Sequence, residues 1–273
     1  MIKAPAGWIG RKWRKLQMIL AIDVGNTNIV VGCIDREKCH FIERLSTVRT
    51  KTELEYAIDI KSVLDIYHVH PAEIEGGIIS SVVPQITVNI KRAAEKILKK
   101  ETLVIGSGIK TGLNIRIDDP AQLGADLVAD SVAGIAEYPL PLAIFDMGTA
   151  NTVCVIDGQK RYLGGMIYPG LGVSLDSLTS HASQLGGISL EAPPERVIGR
   201  NTIDCMKSGV IYSAAAAMDG IIDRIEEELG EKVTVVATGG LARRIVPHCR
   251  REIILDDDLL LKGLQILYEK NKR

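Results

Sequence analysis

Two short stretches carry residue types suited to holding phosphate. Asp23-Val24-Gly25-Asn26-Thr27-Asn28 and Asp146-Met147-Gly148-Thr149-Ala150-Asn151 each place an Asp two residues before a Gly, with small polar side chains following. Glycine has no Cβ and is free to take positive φ, so at Gly25 and Gly148 backbone N–H groups can approach a phosphate closely. Asn26, Thr27, Thr149 and Asn151 add side-chain donors. Asp23 and Asp146 repel phosphate unless a cation lies between, so they imply a metal ion or its hydration shell. Either stretch alone reads equally well as an ordinary hairpin turn, where Asp, Gly and Asn are favoured. Both, however, precede a strand ending in Ile-Asp (Ile34-Asp35 and Ile156-Asp157). A late Thr238-Gly239-Gly240 also offers bare backbone against which a base can lie. Together they favour a nucleotide gripped from both sides.

The elements that must position these turns follow from the hydrophobic pattern. Residues 18–22, 28–34 and 40–48 read as three successive strands, then 52–67 as a helix, 76–80 as a buried strand and 84–99 as a helix opened by Pro84. A strand at 103–105 and a helix at 120–135 complete this half. Strands at 142–146, 152–156 and 161–167 then repeat the opening. Helices at 172–180 and 205–229, strands at 233–237 and 253–254, and a helix at 259–268 close the chain. The repetition predicts a duplicated α/β unit, with residues 18–138 as one half and 139–273 as the other. The hinge falls near residues 138–141, where two prolines interrupt the helical pattern.

Composition narrows the function. The 273 residues carry a formal net charge of -1, so no strong positive field favours a nucleic-acid partner. Five dispersed cysteines without C-x-x-C argue against disulfides and zinc, and for a cytoplasmic protein. No apolar run reaches membrane-spanning length, and no membrane partner is expected. Residues 1–17 are basic and hold both tryptophans, a composition that also suits a membrane surface. They read better as a disordered N-terminal extension without a chemical role, because a strand begins at Met18.

The D-x-G-N-T at Asp23, the D-x-G-T-x-x-T at Asp146 and the late T-G-G resemble the phosphate and adenosine motifs of the actin-like ATPase superfamily, which includes acetate and sugar kinases. Further stretches resemble type III pantothenate kinases: Ser80-Ser81-Val82-Val83-Pro84, Lys110-Thr111-Gly112-Leu113, Gly124-Ala125-Asp126, Gly164 to Gly170, and Gly199-Arg200-Asn201-Thr202. The resemblance implies two duplicated actin-like (ribonuclease H-like) domains with mixed central sheets and a nucleotide cleft between them. It implies ATP-dependent phosphorylation of pantothenate to 4'-phosphopantothenate, the first step of coenzyme A synthesis. Mg2+ and a monovalent cation, K+ or NH4+, would be needed, in a homodimer with its active site at the interface.

Matched residue by residue, the resemblance makes Asp126 the catalytic base. Asp23, Val24, Gly25, Asn26, Thr27, Asn28, Ile29 and Val30 line the ATP phosphates with Thr149, while Gly239 and Gly240 border the adenosine. Asp146 holds the monovalent cation. Gly124, Ala125, Asp126 and Leu127 contact pantothenate, as does Thr202 across the dimer. Two positions depart from the family pattern: Leu127 stands for a carboxylate-binding Arg and Ile117 for a Tyr, with Arg116 or Arg200 available to compensate. A kinase for another small alcohol, or a regulatory protein on the same fold, are the alternatives.

Other features read as structural. His68-Val69-His70 lacks a third ligand, and Asp256-Asp257-Asp258 reads as the cap and first-turn charge of the last helix.

Overall fold

Along the first strand, Leu20, Ile22 and Val24 pack into one apolar cluster, and the alternating Ile19 and Ala21 into another. A strand buried on both faces belongs inside a covered sheet. The computed structural model describes residues 18–182, 185–190 and 194–272, so the expected extension at 1–17 lies outside the described residues.

Strands β1 (Met18–Val24), β2 (Asn28–Ile34) and β3 (Cys39–Ser46) form an antiparallel meander. β4 (Ile74–Ser81) and β5 (Thr102–Val104) add in parallel beyond β1, giving the order β3-β2-β1-β4-β5. The second sheet repeats this plan. β7 (Leu142–Met147), β8 (Ala150–Ile156) and β9 (Arg161–Pro169) form the meander, and β10 (Thr234–Thr238) and β11 (Ile254–Leu255) add in parallel beyond β7. The short β6 (Asn114–Ile115) pairs with the outer edge of β9. The duplication read from two turns therefore extends to strand order.

Helices α1 (Glu53–Ile66) and α2 (Pro84–Leu98) cover the outer face of the first sheet through Tyr56, Ile60, Ile86 and Ile90. A capping box between Thr52 and Glu55 starts α1, and Pro84 starts α2. The outer face of the second sheet packs against α4 (Leu171–His181), α5 (Thr202–Leu229) and α6 (Ala242–Ile245).

Between the sheets runs α3 (Ala125–Glu137). Its Val128 and Val132 pack with Ile19, Ala21 and Ile78, and its Ala133 with Leu142, Ile144 and Cys154. The last helix, α7 (Leu259–Asn271), returns to the first sheet beside α3. Gly263 permits this approach: a Cβ there would lie 2.0 Å from the Ala129 carbonyl oxygen.

Some local expectations are corrected. The segment at 120 forms one 3-10 turn, Pro120–Gln122, capped by Asp119, and the α-helix begins only at Ala125. α5 begins earlier than its apolar pattern, because the Asn201 side chain accepts from the Asp204 N–H. Asp256 does not cap α7: it is buried and accepts from the Tyr138 hydroxyl and Lys262 Nζ, both at 2.7 Å. Asp258 holds the cap position without a side-chain cap bond. His70 accepts from the Ala72 N–H and so caps the turn Pro71–Glu73.

Candidate active site

The two sheets present matching acids toward α3. β1 and β4 run parallel with Asp23 beside Ser80, and in the second sheet Asp146 lies between Thr152 and Thr238. From α3 come Asp126, in its first turn, and Asp130, one turn on. The four carboxylates sit close enough to act on one another. Burial, then the charge of Asp126, pushes Asp23 up to about 7, with Asp146 adding to the effect. Asp146 is pushed up to about 6 by burial and Asp126, while the Arg44 guanidinium pulls it down. Burial raises Asp126, partly offset by the Leu127 N–H, which donates to Asp126 Oδ1 at 2.8 Å. Burial and the fields of Asp146, Asp126 and Asp23 hold Asp130 well above the usual carboxylate range. A carboxylate raised in this way in a cleft is suited to take a proton near neutrality.

The two hairpins meet at their tips, where the Thr27 and Thr149 hydroxyls share a 2.9 Å hydrogen bond. Their glycines work differently from the expectation. Neither Gly25 nor Gly148 takes positive φ. At Gly25 the constraint is the Asn28 carbonyl oxygen, 3.0 Å from where a Cβ would lie and accepting the Gly25 N–H. The left-handed glycine is Gly239, at φ 91°, and a Cβ there would lie 2.4 Å from Asp146 Oδ1. The late Gly-Gly turn thus packs directly on the second hairpin, and the Arg44 guanidinium lies over Gly240.

The structure brings Asp23, Asp126 and Asp146 together, with Thr27 and Thr149 at the hairpin tips and Gly239 against Asp146. Asn26 and Asn28 are exposed on the first hairpin and Val30 is half-buried behind them. Val24 and Ile29 bury their side chains in the core, so only their backbone can face a nucleotide. Gly124 touches Asp126: a Cβ there would lie 2.4 Å from Asp126 Oδ1. Ala125 opens α3. Leu127 and Ile117 join one apolar cluster with Tyr162 and Cys154. Thr202 lines a different feature, a cavity of about 720 Å³ between α4, α5 and the β8–β9 hairpin, with Asn151 and Tyr168. That cavity has the size of a ligand pocket, and among the described residues its lining carries no charge.

Sequence reasoning missed Arg44 and Asp130. Arg44 arrives from β3 across the cleft and leaves no local signal. Asp130 has one, its four-residue spacing from Asp126 on a helix.

Comparison with known proteins gives one family. The model of the type III pantothenate kinase family matches residues 19–224. A type III pantothenate kinase from an Exiguobacterium sp. is 45% identical over 256 residues, 94% of this chain and 100% of that protein. One from Bacillus cytotoxicus is 43% identical over 254 residues, covering 93% of this chain and 97% of its own. Among solved structures, a Campylobacter jejuni protein named for the Baf family of transcriptional activators aligns with TM-score 0.55 at 19% identity, over 93% of this chain and 98% of its own. At that identity the likeness shows the fold alone.

Proposed function

The chain belongs to the type III pantothenate kinase family, and on that premise we propose how its residues carry out the family's reaction. The enzyme phosphorylates pantothenate, using ATP, on the route to coenzyme A. Asp126 is the base: it accepts the hydroxyl proton as the pantothenate oxygen attacks the γ-phosphorus and ADP departs. The backbone and side chains of residues 23–30 hold the phosphates from one side and Thr149 from the other, with adenosine against Gly239 and Gly240. Gly124, Ala125 and Leu127 border the acceptor. Mg2+ would be held by the nucleotide phosphates and the oxygens of the two hairpins, and would supply charge neutralisation at the transferring group. The carboxylate and hydroxyl oxygens on both hairpins are a donor set that suits hard cations, and Asp146 is the residue for K+ or NH4+.

The observation that carries this reading is the meeting of three acids from β1, α3 and β7 under two hairpin tips in contact. The cleft is read as lying between residues 18–138 and 139–273, with α7 returning to the first sheet. A homodimer is proposed, with Thr202 reaching the acceptor of the partner subunit. Ile167, Ile198 and Ile203, all left exposed around β9 and the start of α5, support such an interface. A cytoplasmic location is proposed; among the described residues no helix is long and apolar enough to cross a membrane.

The test is ATP-dependent phosphorylation of pantothenate with Mg2+, run with and without K+ or NH4+. Asp126→Asn should lower kcat by about 10³-fold or more while ATP still binds and the melting temperature holds. Near-normal turnover in that variant would remove Asp126 from the mechanism. Turnover with a different alcohol but not pantothenate would implicate the apolar wall of Leu127 and Ile117.

A further inference from the structure

One acid of the cluster has no part in that mechanism. Asp130 is fully buried, and neither of its carboxylate oxygens has a hydrogen-bond partner among the described residues. A carboxylate shut away from water without a partner is strongly disfavoured, so its surroundings must supply one. The nearest elements supply more oxygen. α3 packs against β4, β7 and β8. Ser80 follows Ile78 by two residues on the β4 face turned to α3, and Thr152 precedes Cys154 by two on the corresponding face of β8. Ser80 Oγ and Thr152 Oγ1 are themselves buried without a geometric hydrogen-bond partner among the described residues, and Ser80 lies close enough to Asp23 to act against the rise of its carboxyl.

An inward-facing set of oxygens on three elements is a cation's coordination shell in chemical type. Among the described residues no three carboxylates, imidazoles or thiolates form a metal-binding group, so a divalent cage of several acids is not built. Mg2+ also keeps much of its water, and these atoms are closed to water. A monovalent ion that exchanges its hydration shell for protein oxygens fits better.

We propose that Asp130 is a direct ligand of a buried monovalent cation, K+ or NH4+, held between the two sheets with the Ser80 and Thr152 hydroxyls beneath Asp23 and Asp146. This rests on the reading that a cation belongs at Asp146, and it adds a second carboxylate that makes the ion part of the cleft floor. Bound there, the ion ties β4 and β8 to α3 and sets the spacing of the two hairpins before any nucleotide arrives.

The experiment uses the full chain without nucleotide, exchanged into tetramethylammonium chloride. Melting is followed as KCl, NH4Cl or NaCl replaces that salt at constant ionic strength. K+ and NH4+ should raise the wild-type melting temperature by about 5 °C at roughly a hundredfold excess over Kd. Asp130→Asn should lose that rise, yet be at least as stable as wild type before the cation is added, because the amide removes a buried acid. Asp130→Ser replaces it if the amide does not fold. A wild-type-sized rise in either variant, or no rise in the wild type, overturns the proposal. Asp146→Asn separates the two readings: if it keeps the response that Asp130→Asn loses, Asp130 holds the ion and the assignment to Asp146 falls.

Discussion

The two phosphate hairpins have nearly the same sequence and quite different supports. The first is tied by hydrogen bonds from the segment just after β3, two of them from side chains. The Thr47 hydroxyl donates to the Gly25 carbonyl oxygen at 2.7 Å, the Thr47 N–H donates to Thr27 O at 2.9 Å, and Arg49 donates to Asn26 Oδ1 at 3.3 Å. The second is wedged between glycine backbones. A Cβ on Gly170 would lie 2.2 Å from the Gly148 carbonyl oxygen, and one on Gly239 2.6 Å from the Met147 nitrogen. Hydrogen bonds from flexible side chains give a little when perturbed, whereas backbone packed on backbone cannot. A duplicated motif can thus keep its chemistry while each copy is held by different physics.

The largest effect should come from filling the wedge. Gly239→Ala adds a Cβ to a residue at φ 91° and drives it into Met147 and Asp146. Left-handed strain and overpacking together should cost about 2–4 kcal/mol and lower the melting temperature by about 5–10 °C. Gly25→Ala, where φ is not left-handed and the nearest contact is 3.0 Å, should cost about 1 kcal/mol. Equal losses in thermal denaturation would erase the distinction between the hairpins.

Next is the tie on the first hairpin. Thr47→Val keeps the shape but leaves the Gly25 carbonyl oxygen without its hydroxyl donor. The expected loss is about 1 kcal/mol by denaturant unfolding, with ATP KM rising more than kcat falls. A change in kcat alone would mean that the hairpin is positioned by something other than Thr47.

A smaller effect concerns the contact between the tips. In a double-mutant cycle of Thr27→Val and Thr149→Val, the shared 2.9 Å bond should appear as a coupling of about 0.5 kcal/mol in the free protein. Phosphate entering between the tips would replace that bond, so the coupling should vanish when a non-hydrolysable ATP analogue is bound. Coupling that survives the analogue would place the phosphates elsewhere.

These supports also mark how far the sequence could be read. Both hairpins and the three successive strands that carry each of them are legible, because period-two apolar runs and small polar turns are local signals; Asp126 is singled out only by the family resemblance. The wedge is not. Gly170 stands at the start of α4, just after β9, and Gly239 just after β10, and only the fold brings them onto residues 146–149. Positive φ was expected at Gly25 and Gly148, yet the turn needs close approach there rather than left-handed backbone. Asp130 shows its helical spacing from Asp126, but nothing local shows that both its oxygens end without partners.

The finest difference between the hairpins is electrostatic. Asp23 is held at about 7 and Asp146 at about 6, and Arg44 acts against the rise at Asp146. Both values lie above the ordinary 3.8, so the folded protein binds these protons more tightly than the unfolded chain. The stability they contribute is fully present below about pH 4 and is lost as pH rises through about 6 and then about 7. Protein stripped of cations should therefore lose stability between about pH 4 and about pH 7, with Asp23→Asn removing the loss above about pH 6 and Asp146→Asn part of the loss below it. Arg44→Gln removes the charge that lowers Asp146, so the lower part should move up toward the Asp23 range. The measurement is denaturant unfolding across that pH range in tetramethylammonium buffer. If Arg44→Gln leaves the profile unmoved, the guanidinium over Gly240 does not govern Asp146, and packing alone distinguishes the two hairpins.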